Sequence, residues 1–291
     1  MKKTYHLCLS AGNEVMFRDL EEYNRGFNCF ALALYKTGST GLVESFMSTH
    51  THQLVQTTDP DELMYNFRLS YSMYFNHKYH RSGKLGEQTH FTLDIVGFHH
   101  MVAAASYVLR NCLHHGVAPI PYAYPHCSVN AIFRKEMGKF IGRRAEYPSN
   151  YVMSESGVFL RESVLDIPQV ENMFLTPRSF NFYMTRKSGE EWDAEQKNDG
   201  NGIEPISLLS IEKGVSMHEI DKMLVFENGK ADYRRISDID LCTGLDQLAR
   251  NRYGRHSVYQ LTENEKSNIA SELYYDRHIN KAQIQRCLVM P

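Results

Sequence analysis

The most informative stretch of this chain is Leu42-Val43-Glu44-Ser45-Phe46-Met47-Ser48-Thr49-His50-Thr51-His52-Gln53-Leu54-Val55. It predicts a β-strand that ends in a His-x-His pair. Because side chains alternate between the two faces of a strand, His50 and His52 point the same way, and two imidazoles on one face can share a divalent metal. The chain has 14 histidines, with further close pairs at 77/80, 99/100 and 114/115. Two surface histidines therefore explain this pair better when it is taken alone.

The composition is that of an ordinary globular protein. Hydrophobic residues make up 42% of the 291 residues and charged residues 23%, which is enough to form a buried core. The apolar runs are shorter than the roughly 20 residues of a membrane span, and no signal-peptide pattern is expected at the start. Six scattered cysteines without a Cys-x-x-Cys pair indicate neither a zinc cage nor a disulfide framework, so a reducing cytoplasm fits. With a net charge of -2, any nucleic-acid site must depend on local charge.

The first part of the chain predicts alternating strands and helices. Strands are expected at 4–9, at the histidine stretch and at 89–96, and helices at 19–34, from 58 to about 79 and at 99–111. This order suits a small sheet covered by helices, an α+β fold. The proline- and tyrosine-rich run 119–125 suggests a boundary between two domains, residues 1–125 and 126–291.

Two basic segments are candidates for nucleic-acid contact. Positive charges would bind phosphates and aromatic rings would stack on bases. The candidate residues are Tyr74, Lys78, Arg81 and Lys84 at the end of the second predicted helix, and Arg134 and Lys135 in a stretch expected to be helical over 130–144. For the first segment, cations that stabilise a helix C-terminus through the helix dipole are an equally good explanation.

Two short helices are predicted near the end of the chain, at 263–274 and from 281. A capping box of Thr262 and Glu265 marks the start of the first. Two helices with a tight joint resemble a helix-turn-helix over 262–289, although a plain αα-hairpin explains the pattern at least as well. The region 126–291 is expected to be a mainly helical accessory region.

Tyr107 and Asn111 lie four residues apart, so they share one face of the predicted helix 99–111. A phenol can attack phosphorus and form a covalent ester, and an amide oxygen can be a hard metal ligand. Placed next to His50 and His52, they suggest a mechanism in which a metal polarises a scissile phosphate and the phenolate attacks it. Without the histidines, a core aromatic would be the better interpretation of Tyr107, since the chain has 18 tyrosines.

Four segments, in this order, resemble the single-tyrosine HUH transposases, and most closely the REP-associated tyrosine transposases. They are Tyr5-His6-Leu7, Phe46-Met47-Ser48-Thr49-His50-Thr51-His52-Gln53-Leu54-Val55, Tyr74-Phe75-Asn76-His77-Lys78-Tyr79-His80-Arg81-Ser82-Gly83-Lys84-Leu85, and Ser106-Tyr107-Val108-Leu109-Arg110-Asn111 followed by Gly116-Val117. The resemblance covers residues 4–125. It implies a ferredoxin-like antiparallel sheet with helices on one face, and a homodimer.

The resemblance also implies a site and a reaction. Tyr107 would be the nucleophile, and His50, His52 and Asn111 would hold Mg2+ or Mn2+. The implied enzyme is a transposase that cuts single-stranded DNA, often next to a hairpin, leaving a 5′-phosphotyrosine link and a 3′-hydroxyl that can rejoin the DNA. No membrane is implied as a partner.

The sequence departs from the family around the histidines. Ser48-Thr49 replaces a Pro-Asn pair, Cys112 replaces a proline, and Thr51 and Gln53 replace apolar residues. By alternation Thr51 and Gln53 face away from the metal, where buried polar groups need hydrogen-bond partners. Two other functions fit the same residues: a domesticated, non-catalytic protein that binds DNA hairpins through the basic segments, and a metallohydrolase of another phosphate ester.

Overall fold

The computed structural model describes residues 1–86, 89–134, 143–185, 225–227, 230–232 and 236–291. Its first part contains β1 (Lys3–Ser10), α1 (Leu20–Lys36), β2 (Thr40–Phe46), β3 (His50–Thr57), α2 (Pro60–Tyr79), β4 (Phe91–Ile95) and α3 (Phe98–Leu109). The four strands form one antiparallel sheet in the order β2-β3-β1-β4. This β-α-β-β-α-β order is ferredoxin-like, which confirms the predicted α+β fold class.

The first two helices each begin at an aspartate that caps the first turn. Asp19 accepts a hydrogen bond from the backbone of Glu22, and Asp59 does the same for Glu62. Pro60 occupies the first turn of α2, where its missing N–H costs nothing. These local signals explain why both predicted helix starts are confirmed.

The stretch 42–55 is a hairpin rather than a single strand. β2 ends at Phe46, β3 begins at His50, and the backbone N–H of Met47 donates to the carbonyl of His50 at 2.7 Å. The prediction of one strand ending in His-x-His was wrong because Ser48 and Thr49 form a tight connection, a role for which small hydroxyl residues are suited. The two histidines open β3, and alternation still points them to the same face.

The two faces of the sheet are covered by different helices. Phe46, the register partner of Thr51, packs against Phe30 of α1 and Phe67 of α2. These two helices therefore share one face, as expected. The third helix, α3, lies against the opposite face, where Tyr107 contacts His52.

The rest of the described chain is built from short elements. After α3 come α4 (Asn111–His114), β5 (Arg143–Arg144), β6 (Val152–Met153), α5 (Arg161–Val164), α6 (Ile167–Phe174), α7 (Pro177–Thr185), β7 (Val225–Glu227) and β8 (Lys230–Asp232), with 3-10 turns at Pro121–Ala123, Ser128–Ala131 and Val258–Gln260. The C-terminal region contains α8 (Asp238–Tyr253), α9 (Glu263–Tyr275) and α10 (Lys281–Leu288). The C-terminal region is thus helical, as predicted. None of the described helices combines the length and the apolar character that crossing a membrane requires.

The helix predicted over 130–144 is wrong where the structure describes this stretch. Ser128–Ala131 is a 3-10 turn, Phe133 has a φ of 57°, and Arg143–Arg144 is a strand. A positive φ in a residue with a bulky side chain interrupts a helix. Lys135 lies outside the described residues.

Hydrophobic packing continues past the run at 119–125. Val129, Leu165 and Phe174 are buried in the same core as the side chains of the sheet and α1–α3. A second cluster belongs to α8–α10 and includes Leu245 and Ile269. The division into domains 1–125 and 126–291 stays a prediction.

The two predicted C-terminal helices are present, and α9 starts at the expected capping box. Thr262 and Glu265 exchange side chain–backbone hydrogen bonds. α10 packs on α8 and α9, and five of its eight residues are buried. At its N-terminus Lys281 and Ala282 are exposed. The use of this pair as a helix-turn-helix stays a prediction.

Candidate active site

The structure brings the four predicted active-site residues together between β3 and the α3–α4 segment. Nε2 of His50 lies 3.2 Å from Oδ1 of Asn111. The rings of His52 and Tyr107 meet edge-on, with centroids 5.4 Å apart. All four side chains are buried, and Tyr107 is the most exposed of them at 4%.

Local sequence explains how α3 presents this face. Gly97 adopts a φ of 86° at the N-cap, a conformation that glycine reaches without strain, and turns the chain from β4 into α3. The helix breaks at Arg110 and resumes as α4. Despite the break, Tyr107 and Asn111 both face β3, as their spacing predicted.

His6 belongs to this cluster, and the sequence analysis missed it. Its Nε2 lies 3.0 Å from Nδ1 of His52, and the two rings are nearly parallel at 12°. Its ring also meets that of Tyr107 edge-on, with centroids 5.8 Å apart. His6 lies two residues from Cys8, the register partner of His52. Strand alternation would have found it once the pairing of β1 with β3 was known.

His114 and His115 also contact the cluster. The sequence pattern alone gave no reason to include this pair. The ring of His114 stacks on that of Tyr107 with centroids 5.2 Å apart, and His115 meets His50 edge-on at 4.9 Å. His114 is itself exposed. An exposed imidazole therefore covers one face of the Tyr107 ring.

Burial keeps the central imidazoles unprotonated at neutral pH. Desolvation lowers the pKa of His50 to about 4, against a smaller opposing effect of its bond to Asn111. Desolvation and the nearby His100 lower the pKa of His6 to about 3. Burial and the surrounding histidines hold the pKa of His52 well below its usual range. Neutral imidazole is the form that binds metals.

The donor atoms fit a divalent metal that accepts nitrogen ligands. Two ligands about 2.1 Å from an octahedral ion lie about 3 Å apart, close to the 3.2 Å between His50 and Asn111. Nε2 of His52 is buried and has no hydrogen-bond partner within the described ranges. In the part of the chain that the structure describes, no three His, Cys, Asp or Glu side chains are arranged to hold a metal. The candidate set is therefore two imidazoles and one amide.

Ser48 and Thr49, the two residues before His50, hydrogen-bond to other parts of the chain. Oγ1 of Thr49 lies 3.1 Å from Nδ1 of His50. Ser48 donates to Asp238 at the start of α8, at 2.8 Å, and Arg286 of α10 binds the same carboxylate. Burial alone would raise the pKa of Asp238, but Arg286 and the hydrogen bonds bring it below its usual range.

The predicted DNA-binding cations are mostly paired with carboxylates of the chain itself. The pairs are Lys78–Asp19 at 2.6 Å, Arg81–Glu14 at 3.2 Å and Arg134–Glu162 at 2.7 Å. Tyr74 is half-buried, and the charged groups of Arg25 and Lys78 lie over its ring. Lys84 is exposed. A DNA-binding role for these residues stays a prediction.

The face of β3 that points away from the histidines carries polar atoms without partners. The hydroxyl of Thr51, both amide atoms of Gln53 and Oε2 of Glu44 are buried and have no hydrogen-bond partner in the described part of the molecule. Glu44 is the register partner of Gln53, and its other carboxylate oxygen accepts a short hydrogen bond from Arg161. Burial raises the pKa of Glu44, although Arg161 opposes this.

Comparison with known proteins finds a likeness of fold. No family model matches the sequence, and a search of curated proteins gives no match. Among solved structures, a REP-associated tyrosine transposase bound to a REP hairpin is similar at a TM-score of 0.42 and 9% identity, over 51% of this chain and 92% of that one. This is a structural resemblance over about half of the chain.

Proposed function

We propose that this chain cleaves and rejoins single-stranded DNA through a covalent link to Tyr107, with a divalent metal held by His50, His52 and Asn111. The observation that carries the proposal is the contact of Tyr107 with His52 inside the cluster that also contains His50 and Asn111. A nucleophile has to lie close to the groups that bind its target phosphate. The proximity of Tyr107 on α3 to His50 and His52 on β3 and to Asn111 on α4 supports the proposal.

Each residue has a role in this proposal. The metal, when bound, would polarise the scissile phosphate and stabilise its developing charge. The Thr49 hydroxyl, which can donate or accept, holds the His50 ring so that Nε2 faces Asn111. The phenol oxygen of Tyr107 forms a bond to phosphorus, and the 3′-oxygen of the preceding nucleotide leaves. Neutral imidazoles around the phenol are suited to accept its proton.

The donor set favours Mn2+ over Mg2+. Mg2+ takes oxygen ligands almost exclusively, whereas two of the three donors here are imidazole nitrogens. We therefore propose that Mn2+ supports the reaction better. The sequence resemblance further leads us to propose hairpin-flanked single strands as the substrate and a homodimer as the acting form. The scattered free cysteines lead us to propose the cytoplasm as the location.

A second candidate is a non-catalytic protein that binds DNA hairpins and derives from such an enzyme. Two observations favour it. Tyr107 is only 4% exposed and its ring is covered on one face by His114. A buried ring that is covered in this way suits a structural tyrosine better than a nucleophile.

Adduct formation on end-labelled hairpin oligonucleotides tests the proposal. With Mn2+, the wild-type protein should become covalently attached to the fragment that carries the 3′-label, because the 5′-phosphate of that fragment binds Tyr107. Tyr107→Phe should form no adduct while still binding the hairpin. Tyr122→Phe, which removes the hydroxyl of a half-buried tyrosine elsewhere, serves as the matched control and should form adduct normally.

Two results would reject covalent catalysis. Hairpin binding by the wild type without any adduct, across a panel of oligonucleotides, would establish the non-catalytic candidate. Multiple-turnover phosphate-ester hydrolysis by Tyr107→Phe would identify a metallohydrolase that does not need the phenol.

A further inference from the structure

We infer that His6 is a positioning residue that sets the ring plane and the tautomer of His52, so that Nε2 of His52 presents a lone pair to the metal. This rests on the proposed function for the identity of the ligand. The hydrogen bond on which it depends can be measured without any metal.

The contact between the two rings has the geometry of an in-plane hydrogen bond. Nε2 of His6 and Nδ1 of His52 are 3.0 Å apart, and the ring planes differ by 12°. Both side chains are completely buried. A parallel neighbour and a directional bond together fix the orientation of the His52 ring, which neither would do alone.

Only one proton can lie between these two nitrogens, and its position determines what His52 can do. If His6 donates, the neutral ring of His52 carries its own proton on Nε2. Nε2 of His52 and Nδ1 of His6 both lack an acceptor in the described structure, so hydrogen bonding alone favours neither arrangement. If His52 donates from Nδ1, its Nε2 is an unprotonated lone pair inside the cluster. The second arrangement alone is compatible with metal binding through Nε2.

The placement of His6 on β1 makes this role independent of the other supports of the site. His50 is oriented by Thr49 and Asn111, which come from the preceding turn and from α4. His52 is oriented by His6, which comes from the neighbouring strand. Each of the two imidazoles therefore has its own orienting partner, as metal-binding histidines generally do.

Two substitutions at position 6 separate the hydrogen bond from ring packing. His6→Phe keeps a ring but removes the acceptor, and His6→Gln keeps a side-chain oxygen that can accept from His52. We expect His6→Phe to weaken Mn2+ binding about 10- to 100-fold, the usual effect of losing an orienting partner. His6→Gln should retain affinity within a few fold. Electron paramagnetic resonance titration of Mn2+ measures this binding without reference to DNA cleavage.

His126→Phe is the matched control. It replaces an imidazole outside the histidine cluster, which stacks on the ring of Tyr23, and should leave Mn2+ affinity unchanged. Circular dichroism and thermal melting show whether each variant is folded. A folded His6→Phe that binds Mn2+ as tightly as the wild type would overturn the inference.

Nitrogen-15 NMR of the metal-free wild type shows directly which nitrogen of His52 carries the proton. This measurement does not depend on the folding of any variant. The inference expects the His52 proton on Nδ1, and a proton found on Nε2 would overturn it. If the wild type has the Nδ1 proton yet binds no Mn2+, then the metal of the proposed function is refuted while the role of His6 in orienting His52 stands.

Discussion

The two faces of β3 differ in the partners that their buried polar side chains find. On the α3 face, His50 and His52 have partners on other elements, Asn111 and His6. On the α1–α2 face, the hydroxyl of Thr51 and the amide of Gln53 are equally buried but have no partner within the described ranges. Buried polar side chains therefore indicate a candidate site when residues of several elements hydrogen-bond to them, and burial of polar groups alone does not.

The largest expected difference between the faces is in their response to acid. Unfolded histidine has a pKa near 6.5, whereas that of His50 is about 4 and that of His6 about 3 in the folded chain. Below pH 6.5 the unfolded chain thus binds more protons than the folded one. The free energy of unfolding therefore decreases as the pH is lowered. Each buried histidine costs about 1.4 kcal/mol per pH unit in that window, so the pair should remove roughly 6 kcal/mol by pH 4.

Denaturant titrations between pH 7 and pH 4 measure this loss. Carboxylates also titrate there, so the wild type is compared with a His6→Gln, His50→Gln double variant. The variant should have a clearly shallower dependence of unfolding free energy on pH. Equal slopes in the two proteins would show that these imidazoles are not held neutral by the fold.

An intermediate effect is expected from breaking the ionic contact between Arg161 and Glu44. Arg161→Met leaves the carboxylate of Glu44, which has no exposure, without its guanidinium partner. Removing one member of such a buried pair costs about 3 kcal/mol. The loss should shrink as the pH falls, because the raised pKa of Glu44 allows it to become neutral.

Arg134→Met is the matched control for that measurement. It breaks the pair with Glu162, in which the arginine side chain is 43% exposed, and should cost less than about 1 kcal/mol. Chemical unfolding at pH 7 compares the two. A similar small loss for both would mean that Glu44 finds another partner or is already protonated.

The smallest expected effect is an increase in the free energy of unfolding. Gln53→Leu removes two unpartnered buried atoms from the apolar side of β3 and should stabilise the fold by about 1–2 kcal/mol. Gln56→Leu, at a half-buried position on the same strand, should change little. A loss of stability with Gln53→Leu would instead reveal ordered water that bonds the amide, and would make the two faces more alike than they look.

Local sequence signals predicted the parts of the fold that local physics controls. The predicted helices 19–34 and from 58 are present, and their starts are fixed locally, since Asp19 and Asp59 cap residues only three positions on. Alternation placed His50 and His52 on one face for a similarly local reason. The turn at 47–49 was missed, since two polar residues inside an apolar stretch are compatible with both a strand and a turn.

What the sequence could not supply were partners from distant segments. His6 joins His52 only through the register of β1 on β3, which a single strand pattern does not encode. The candidate DNA-binding cations looked available because their carboxylates lie elsewhere in the chain, as with Glu14 for Arg81 and Glu162 for Arg134. The sequence could therefore supply candidate residues, but only the contacts between distant segments show which of them lie together.

The hydrogen bond from Ser48 to Asp238 joins residues 190 positions apart. On the ribosome, the sheet strands emerge long before α8 and α10 do. The turn before His50 is then bonded by the segment ahead of α1, through the backbone N–H groups of Ala11, Met16 and Phe17. The ion pair between Asp238 and Arg286 can form only after Arg286 has been translated. A product of premature termination before residue 238 would therefore display the histidine cluster without the contact that fixes its entrance turn.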